Sequence, residues 1–258
     1  MADFHPLRSA NDGGSDSWEQ LNKIAEKRAK DASPATMPSL DHATMSDFGE
    51  VYEPSDDTYL LIDGILSDLQ ENPSIANSAR IILELGSGNG VPISFCSKLA
   101  PSALSIATDI NPRALAFTKK TATENQVTKL ETIQCDLATP LLESCKQKID
   151  VIIFNPPYVP TPDDEVSGNG IEVSWAGGER GRRVVDRAIP QIAHLLSENG
   201  ACYMITVDDN DPEEIAQTFD ALGINMFPLV RRRACNEYLT VQKLVRKTAK
   251  ATRGRRIE

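Results

Sequence analysis

Long apolar runs are absent. A helix needs about 18 consecutive apolar residues to cross a membrane. No stretch of this chain comes near that, so a membrane span is not expected. The opening residues, Met1 to Asp16, hold acids and no apolar core, so neither a secretory signal nor a transit peptide is expected there. Histidine is scarce. There are three, His5, His42 and His194, too few for a zinc site built by this chain alone, and no metal-ligating set is expected. The five cysteines (Cys96, Cys135, Cys145, Cys202, Cys235) are odd in number and no pair has metal-knuckle spacing. They read as reduced thiols of a cytoplasmic or nuclear protein. Positive charge is the minority sign. Lys and Arg number 27 against 37 Asp and Glu, a net charge of −10. That is a poor match for a protein that wraps duplex nucleic acid on a basic face.

What remains is a chain of 258 residues, 40% apolar and 25% charged, enough for one large domain or two small ones with a proper core. Residues 1–48 are rich in Ser, Asp, Ala, Gly and Pro and are expected to be an extension without stable packing. Ser17 to Lys30 could form a transient helix, but its apolar face (Trp18, Leu21, Ile24, Ala25) is thin; the alternative is a docking segment. Residues 49–246 read as the folded domain and 247–258 as a basic tail. From Lys243 to Arg256 there are seven basic residues and no acid, either a solvated tail or a nuclear or RNA-facing one.

Between these ends strand and helix patterns alternate. Strands are expected at Ile81–Leu85, Leu104–Thr108, Leu130–Gln134, Val151–Phe154, Ala201–Val207, Ile224–Val230 and Tyr238–Leu244. Helices are expected at Val91–Leu99, Pro112–Asn125, Gly181–Leu196 (stopped by Asn199-Gly200) and from Asp211 through Leu222. The alternation implies a doubly wound parallel sheet, whose ligands bind beyond the carboxyl ends of the strands.

The informative residues fall at those ends. The first strand runs into Glu84-Leu85-Gly86-Ser87-Gly88-Asn89-Gly90, where glycine lets backbone turn tightly and approach a ligand. The spacing G-x-G-x-G after an acid differs from the dinucleotide fingerprint G-x-G-x-x-G. It resembles the first motif of the S-adenosylmethionine-dependent methyltransferases. Asp109 ends the second strand, 23 residues past Gly86, where a carboxylate can accept from both ribose hydroxyls. Asp136 ends the third strand, followed by Leu137. The fourth strand ends in Asn155-Pro156-Pro157-Tyr158. An amide or ring-attached amino group is a poor nucleophile because its lone pair is delocalised. Two acceptors, the Asn155 side-chain oxygen and the Pro156 carbonyl, can hold its two N–H groups, aim the lone pair at a methyl donor and stabilise the charge that grows on nitrogen. Pro157 stiffens the turn, and Tyr158 offers a flat face. No separate general base is required before transfer.

The Asn155–Tyr158 tetrapeptide resembles the signature of protein glutamine methyltransferases and amino-directed nucleic-acid methyltransferases. Val51-Tyr52-Glu53-Pro54-Ser55-Asp56-Asp57-Thr58 before the first strand, and Gly170-Ile171-Glu172 through Trp175-Ala176-Gly177-Gly178 after the tetrapeptide, are similar to one branch. That branch is the eukaryotic and archaeal HemK-like release factor glutamine methyltransferases, and the resemblance runs from about Phe48 to about Val245. It implies a Rossmann-like class I fold: α/β, a seven-stranded, mostly parallel sheet with helices on both faces. It implies S-adenosyl-L-methionine as cofactor, contacted by Thr58, Glu84, Gly86, Gly88, Asp109, Asp136, Leu137 and Asn155. The catalytic segment is then Asn155, Pro156, Pro157 and Tyr158, with an acid at position 136 facing the adenine amino group and Leu137 on the ring.

The implied substrate is the glutamine of the Gly-Gly-Gln motif in the class I translation release factor, held in complex with the class II release factor GTPase. The implied partner is a small zinc-binding activator protein, forming a heterodimer in the cytoplasm, with the nucleus as a further location. The third strand would sit at a sheet edge, so the activator is expected to dock beside Thr132–Gln134, with proline at Ile133 as the disrupting change. The loop from Thr161 to Gly181 is expected to shape the mouth of the site, its glycines (168, 170, 177, 178, 181) permitting mobility and Trp175 serving as anchor or core. The rivals are a DNA or RNA amino-group (N6-adenine type) methyltransferase, a histone-lysine methyltransferase, a non-catalytic binding module and a nicotinamide oxidoreductase. The acidic chain and the absence of a second, base-extruding domain weigh against nucleic acid.

Overall fold

The run Ile81–Leu85 is apolar on both sides, as a strand covered on two faces must be. In the computed structural model, which describes residues 17–31, 35–166, 170–234 and 237–247, it forms β1, with Ile82, Leu83 and Leu85 fully buried. The other strands are β2 (Leu104–Asp109), β3 (Leu130–Gln134), β4 (Ile149–Phe154), β5 (Leu196–Val207), β6 (Ile224–Ala234) and β7 (Glu237–Arg246). They make one seven-stranded sheet in the order β3-β2-β1-β4-β5-β7-β6. The ladders from β3 to β5 are parallel, and β7 runs antiparallel to both β5 and β6. The order reverses between β1 and β4, the place where such sheets leave a crevice at their carboxyl ends.

The helices are α1 (Trp18–Asp31), α2 (Asp56–Glu71), α3 (Pro73–Ser78), α4 (Val91–Leu99), α5 (Pro112–Glu124), α6 (Asp163–Val166), α7 (Arg183–Leu195) and α8 (Pro212–Ala221). Alternate strand residues feed two cores. Leu83, Leu85, Ile152 and Phe154 pack with Val185, Ile189 and Ile192 of α7 and with Ile215 and Phe219 of α8. Ile82, Val151, Ile153 and Tyr203 pack with Leu61 and Ile65 of α2 and with Ile93 of α4. Each fully buried Leu or Ile contributes about 1.5–3 kcal/mol, so the sheet is held from both sides. Helix starts follow local chemistry. Pro112 opens α5 while the Asn111 side chain accepts from the Arg113 N–H at 2.9 Å, and Asp211 does the same for α8 from the Glu214 N–H at 3.2 Å.

Three expectations need correction. The first is the unpacked extension across 1–48. Residues 18–31 form α1, which lies along β6 with Leu21 and Ala25 buried. Trp18 packs against the core on the α7 side and Ala29 against the core on the α2 side. Arg28 pairs with Glu71 at 2.5 Å and Arg231 with Glu26 at 3.4 Å. Further on, the Ala35 N–H bonds the Asp63 carboxylate, Ser39 exchanges bonds with Asn125, and His42 lies on Phe117 against Glu124. The thin apolar face suffices because it covers only an edge. The second is the stop of α7: the helix ends at Leu195, within one residue of the expected Leu196, but Asn199-Gly200, expected to stop it, lie inside β5. Its last carbonyls are capped by Arg246, whose Nε donates to Leu196 O at 2.8 Å and whose Nη2 donates to Ala193 O, so no glycine stop is needed. The third is the stretch before β1, where no element is expected and α2 and α3 form. Residues 1–16, Cys235, Gly168 and the basic tail beyond Lys247 lie outside the described residues.

Candidate functional site

The strand ends surround a cavity of about 820 Å³. Every expected site residue lines it: Thr58, Glu84, Gly86, Gly88, Asp109, Asp136, Leu137, Asn155, Pro156, Pro157 and Tyr158. The fold also brings Tyr52, Asp57, Ile110, Trp175 and Arg187 to it.

The glycine turn is built for close approach. Gly86 and Gly88 have φ of 65° and 49°, and a Cβ at Gly86 would meet nothing within 4 Å, so that wall is left to a ligand. Gly90 serves packing instead, since a Cβ there would come 2.7 Å from Thr118 Cα on α5. Glu84 is buried and accepts from the Ile93 N–H at 3.1 Å; burial holds its carboxyl well above the usual range. Asp109 accepts from the Gly88 N–H at 2.9 Å and the Asn111 N–H at 2.8 Å. Burial raises its pKa, while the backbone N–H groups of Asn111, Gly88 and Ile110 lower it. Asp136 is half-exposed and paired with Arg187 of α7. Leu137 is buried with φ 53°. Thr58 is buried near the start of α2, its hydroxyl joining the capping box with Ser55.

The other end of the cavity is denser in hydrogen bonds. Asp57 is 3% exposed. Its Oδ1 accepts from the Thr58 N–H at 2.6 Å and hydroxyl at 3.2 Å. Its Oδ2 accepts from Tyr52 OH at 3.0 Å, Asn155 Nδ2 at 3.0 Å and Tyr158 OH at 3.2 Å. Burial, then the neighbouring Asp57 charge, push both phenols far above their ordinary pKa, so both stay protonated and donate. Asn155 Oδ1 is buried without a partner among the described residues.

The loop after the tetrapeptide is tied down. Val159 N–H bonds Trp175 O at 3.0 Å, and Gly177 N–H bonds Val159 O at 2.8 Å. Asn210, fully buried, accepts from the Val207 N–H and donates to Tyr158 O at 2.8 Å and Arg180 O at 2.9 Å. A Cβ at Gly181 would stand 1.8 Å from Tyr158 O, and one at Gly177 would stand 2.5 Å from Pro157 O. At these two positions glycine admits the close approach of the Pro157 and Tyr158 carbonyls. Trp175 is 36% exposed at the cavity rim, not core. Sequence reasoning missed Asp57, Tyr52 and Asn210. Asp57 and Tyr52 lay inside a recognised motif; nothing local marked Asn210.

The Methyltransferase small domain model matches residues 63–168. Together with the sheet order, this defines a Rossmann-like class I S-adenosylmethionine-dependent methyltransferase. Methyltransferase HEMK2 of Homo sapiens is 40% identical over 210 residues, 81% of this chain and 96% of that protein. The eRF1 methyltransferase catalytic subunit mtq2 of Schizosaccharomyces pombe is 28% identical, over 81% of this chain and 95% of that one. The E. cuniculi Mtq2–Trm112 complex, responsible for methylation of the eRF1 translation termination factor, aligns with TM-score 0.57 and 27% identity over 76% of this chain and 99% of that one. The chain belongs to the HEMK2 family of methyltransferases.

Proposed function

We propose that this chain is the catalytic subunit of a protein glutamine methyltransferase. It acts on the side-chain amide of the Gly-Gly-Gln glutamine in the class I translation release factor. The observation that carries this reading is Asn155 Oδ1, a buried acceptor left without a donor at the end of β4. A lone buried acceptor is costly unless a donor arrives, and a primary amide brings one. The similar proteins named for eRF1 methylation support the substrate.

When bound, S-adenosylmethionine supplies the sulfonium methyl group. Asn155 Oδ1 and the Pro156 carbonyl take the two N–H bonds of the substrate amide and turn its lone pair toward the methyl group. The same acceptors favour the positive charge that grows on nitrogen. Pro157 keeps the turn stiff, and the Tyr158 ring forms a flat wall. On the cofactor side, Gly86 and Gly88 allow close approach, and Asp109 would accept from the ribose hydroxyls. Asp136 and Leu137 would hold the adenine, and Thr58 and Glu84 the methionine end.

The test is methyl transfer from labelled S-adenosylmethionine, with the activator present. The substrates are the release factor with its class II GTPase, the same complex with the Gly-Gly-Gln glutamine replaced by asparagine, and duplex DNA. Label on the wild-type factor alone supports the reading; label on DNA moves it to the amino-directed rival. Asn155→Ala should lower turnover by about 10²–10³ while cofactor affinity changes only modestly, measured by kcat against calorimetric Kd.

We infer that the activator docks at β3, the sheet edge that no strand of the described residues covers. Ser105 N–H bonds Lys129 O and Cys135 N–H bonds Asp109 O, so odd-numbered β3 residues turn their backbone groups toward β2. The outward groups are those of Leu130, Thr132 and Gln134. Proline at Ile133 would therefore break the chain's own ladder, and Thr132→Pro is the cleaner test. The activity is expected in the cytoplasm, where release factors work.

A further inference from the structure

The expected chemistry leaves Asp57 without a role, yet it joins more side chains of the site than any other residue described above. It sits in the first turn of α2, 98 residues before Asn155, and five donors converge on its carboxylate. Surrounded by donors, it serves as an acceptor. The Asn155 amide must then present its NH₂ to Asp57 and its oxygen away from it. That leaves Oδ1 as the atom with no donor. A negative group on the NH₂ side also draws the amide toward its polar resonance form, which makes the oxygen a stronger acceptor.

We propose that Asp57 is a positioning residue for methyl transfer: it holds Asn155 in the amide orientation that offers an acceptor to the substrate, and polarises that acceptor. Tyr52 and Tyr158 keep Asp57 in place from the same oxygen, and Thr58 from the other. Tyr158 thereby links the flat wall of the site to the carboxylate that orients its acceptor. The inference rests on the glutamine-amide reading above and deepens it.

The experiment uses the full chain with its activator, the release factor complex as substrate, and kcat, KM and cofactor Kd as readouts. Asp57→Asn gives Asn155 a partner that can donate, so the Asn155 amide turns its oxygen inward. The expected result is a fall in kcat of about a hundredfold, with KM and cofactor Kd within about threefold of wild type. Asn155→Asp should lose as much, because two carboxylates then face each other. The exchanged pair, Asp57→Asn with Asn155→Asp, again points a donor outward from position 57 and leaves an acceptor for the substrate. It should recover at least about tenfold over either single variant, a rescue that an acid serving only the fold does not produce. Wild-type turnover in Asp57→Asn, or an exchanged pair no faster than the singles, overturns the inference. Should Asp57→Asn fail to fold, the Asn155 side-chain NH₂ in the wild-type protein decides by NMR. Slowed hydrogen exchange supports the bond to Asp57; exchange at the rate of an exposed asparagine overturns it. Wild-type enzyme that leaves the release factor unlabelled overturns the glutamine reading and this inference together, whereas labelled wild type with an equally fast Asp57→Asn overturns this inference alone.

Discussion

The two edges of the sheet are finished in opposite ways. At β6 the chain supplies its own cover. α1 runs along the strand, buries Leu21 and Ala25, and touches both cores. At β3 no element of the described chain lies outside the strand, and the backbone groups of Leu130, Thr132 and Gln134 face outward. An unpaired edge invites another chain. One edge is closed by intramolecular packing and the other is the one proposed for the activator, so damage at the two should read out differently: as stability at β6, as association at β3.

The largest effect is expected at the closed edge. Leu21→Ala should cost about 2–5 kcal/mol, seen as a lower urea midpoint for the chain whether or not the activator is present. Loss confined to the complex would break the comparison. At the open edge, Thr132→Pro should leave the isolated chain's unfolding midpoint nearly unchanged. Activator Kd should rise about tenfold, the worth of one main-chain hydrogen bond. Unaltered binding would place the activator elsewhere. The smallest effect is expected from Arg28→Ala, which removes the ion pair with Glu71. That should cost about 1 kcal/mol, part of it lost packing of the largely buried Arg28 side chain, and the ion-pair part should fade as salt is raised, since Glu71 lies near solvent.

How legible each edge was follows from the same contrast. β3 could be read from its sequence because a parallel strand after a helix obeys a local pattern, and its place at the edge follows from topology. α1 could not. Its face of Trp18, Leu21, Ile24 and Ala25 is too thin to announce a core helix, and its value depends on β6, some 200 residues away. The site divides likewise. Gly86, Gly88, Asp109 and Asn155 announce themselves because strand ends and turn glycines are local signals. Asp57 does not, because an acid in the first turn of a helix is ordinary until Asn155 and two tyrosines are seen converging on it. What Gly177 and Gly181 do is not legible locally; the nearness of the Pro157 and Tyr158 carbonyls shows them to be contact points.

The place of β7 has a consequence for the order in which the protein can assemble. It is the last strand of the described residues, yet it lies inside the sheet, between β5 and β6. Until it emerges from the ribosome, β6 has no ladder to join among the described strands, and α1 has no strand to rest on. Arg246, at its very end, also closes α7. The parallel half, from β3 to β5, can form on the growing chain. α1 must wait for β6 and β7, some 200 residues further along the chain. A chain cut short before Glu237 would therefore lose a terminal strand and, with it, the docking of α1 at the opposite end of the sequence.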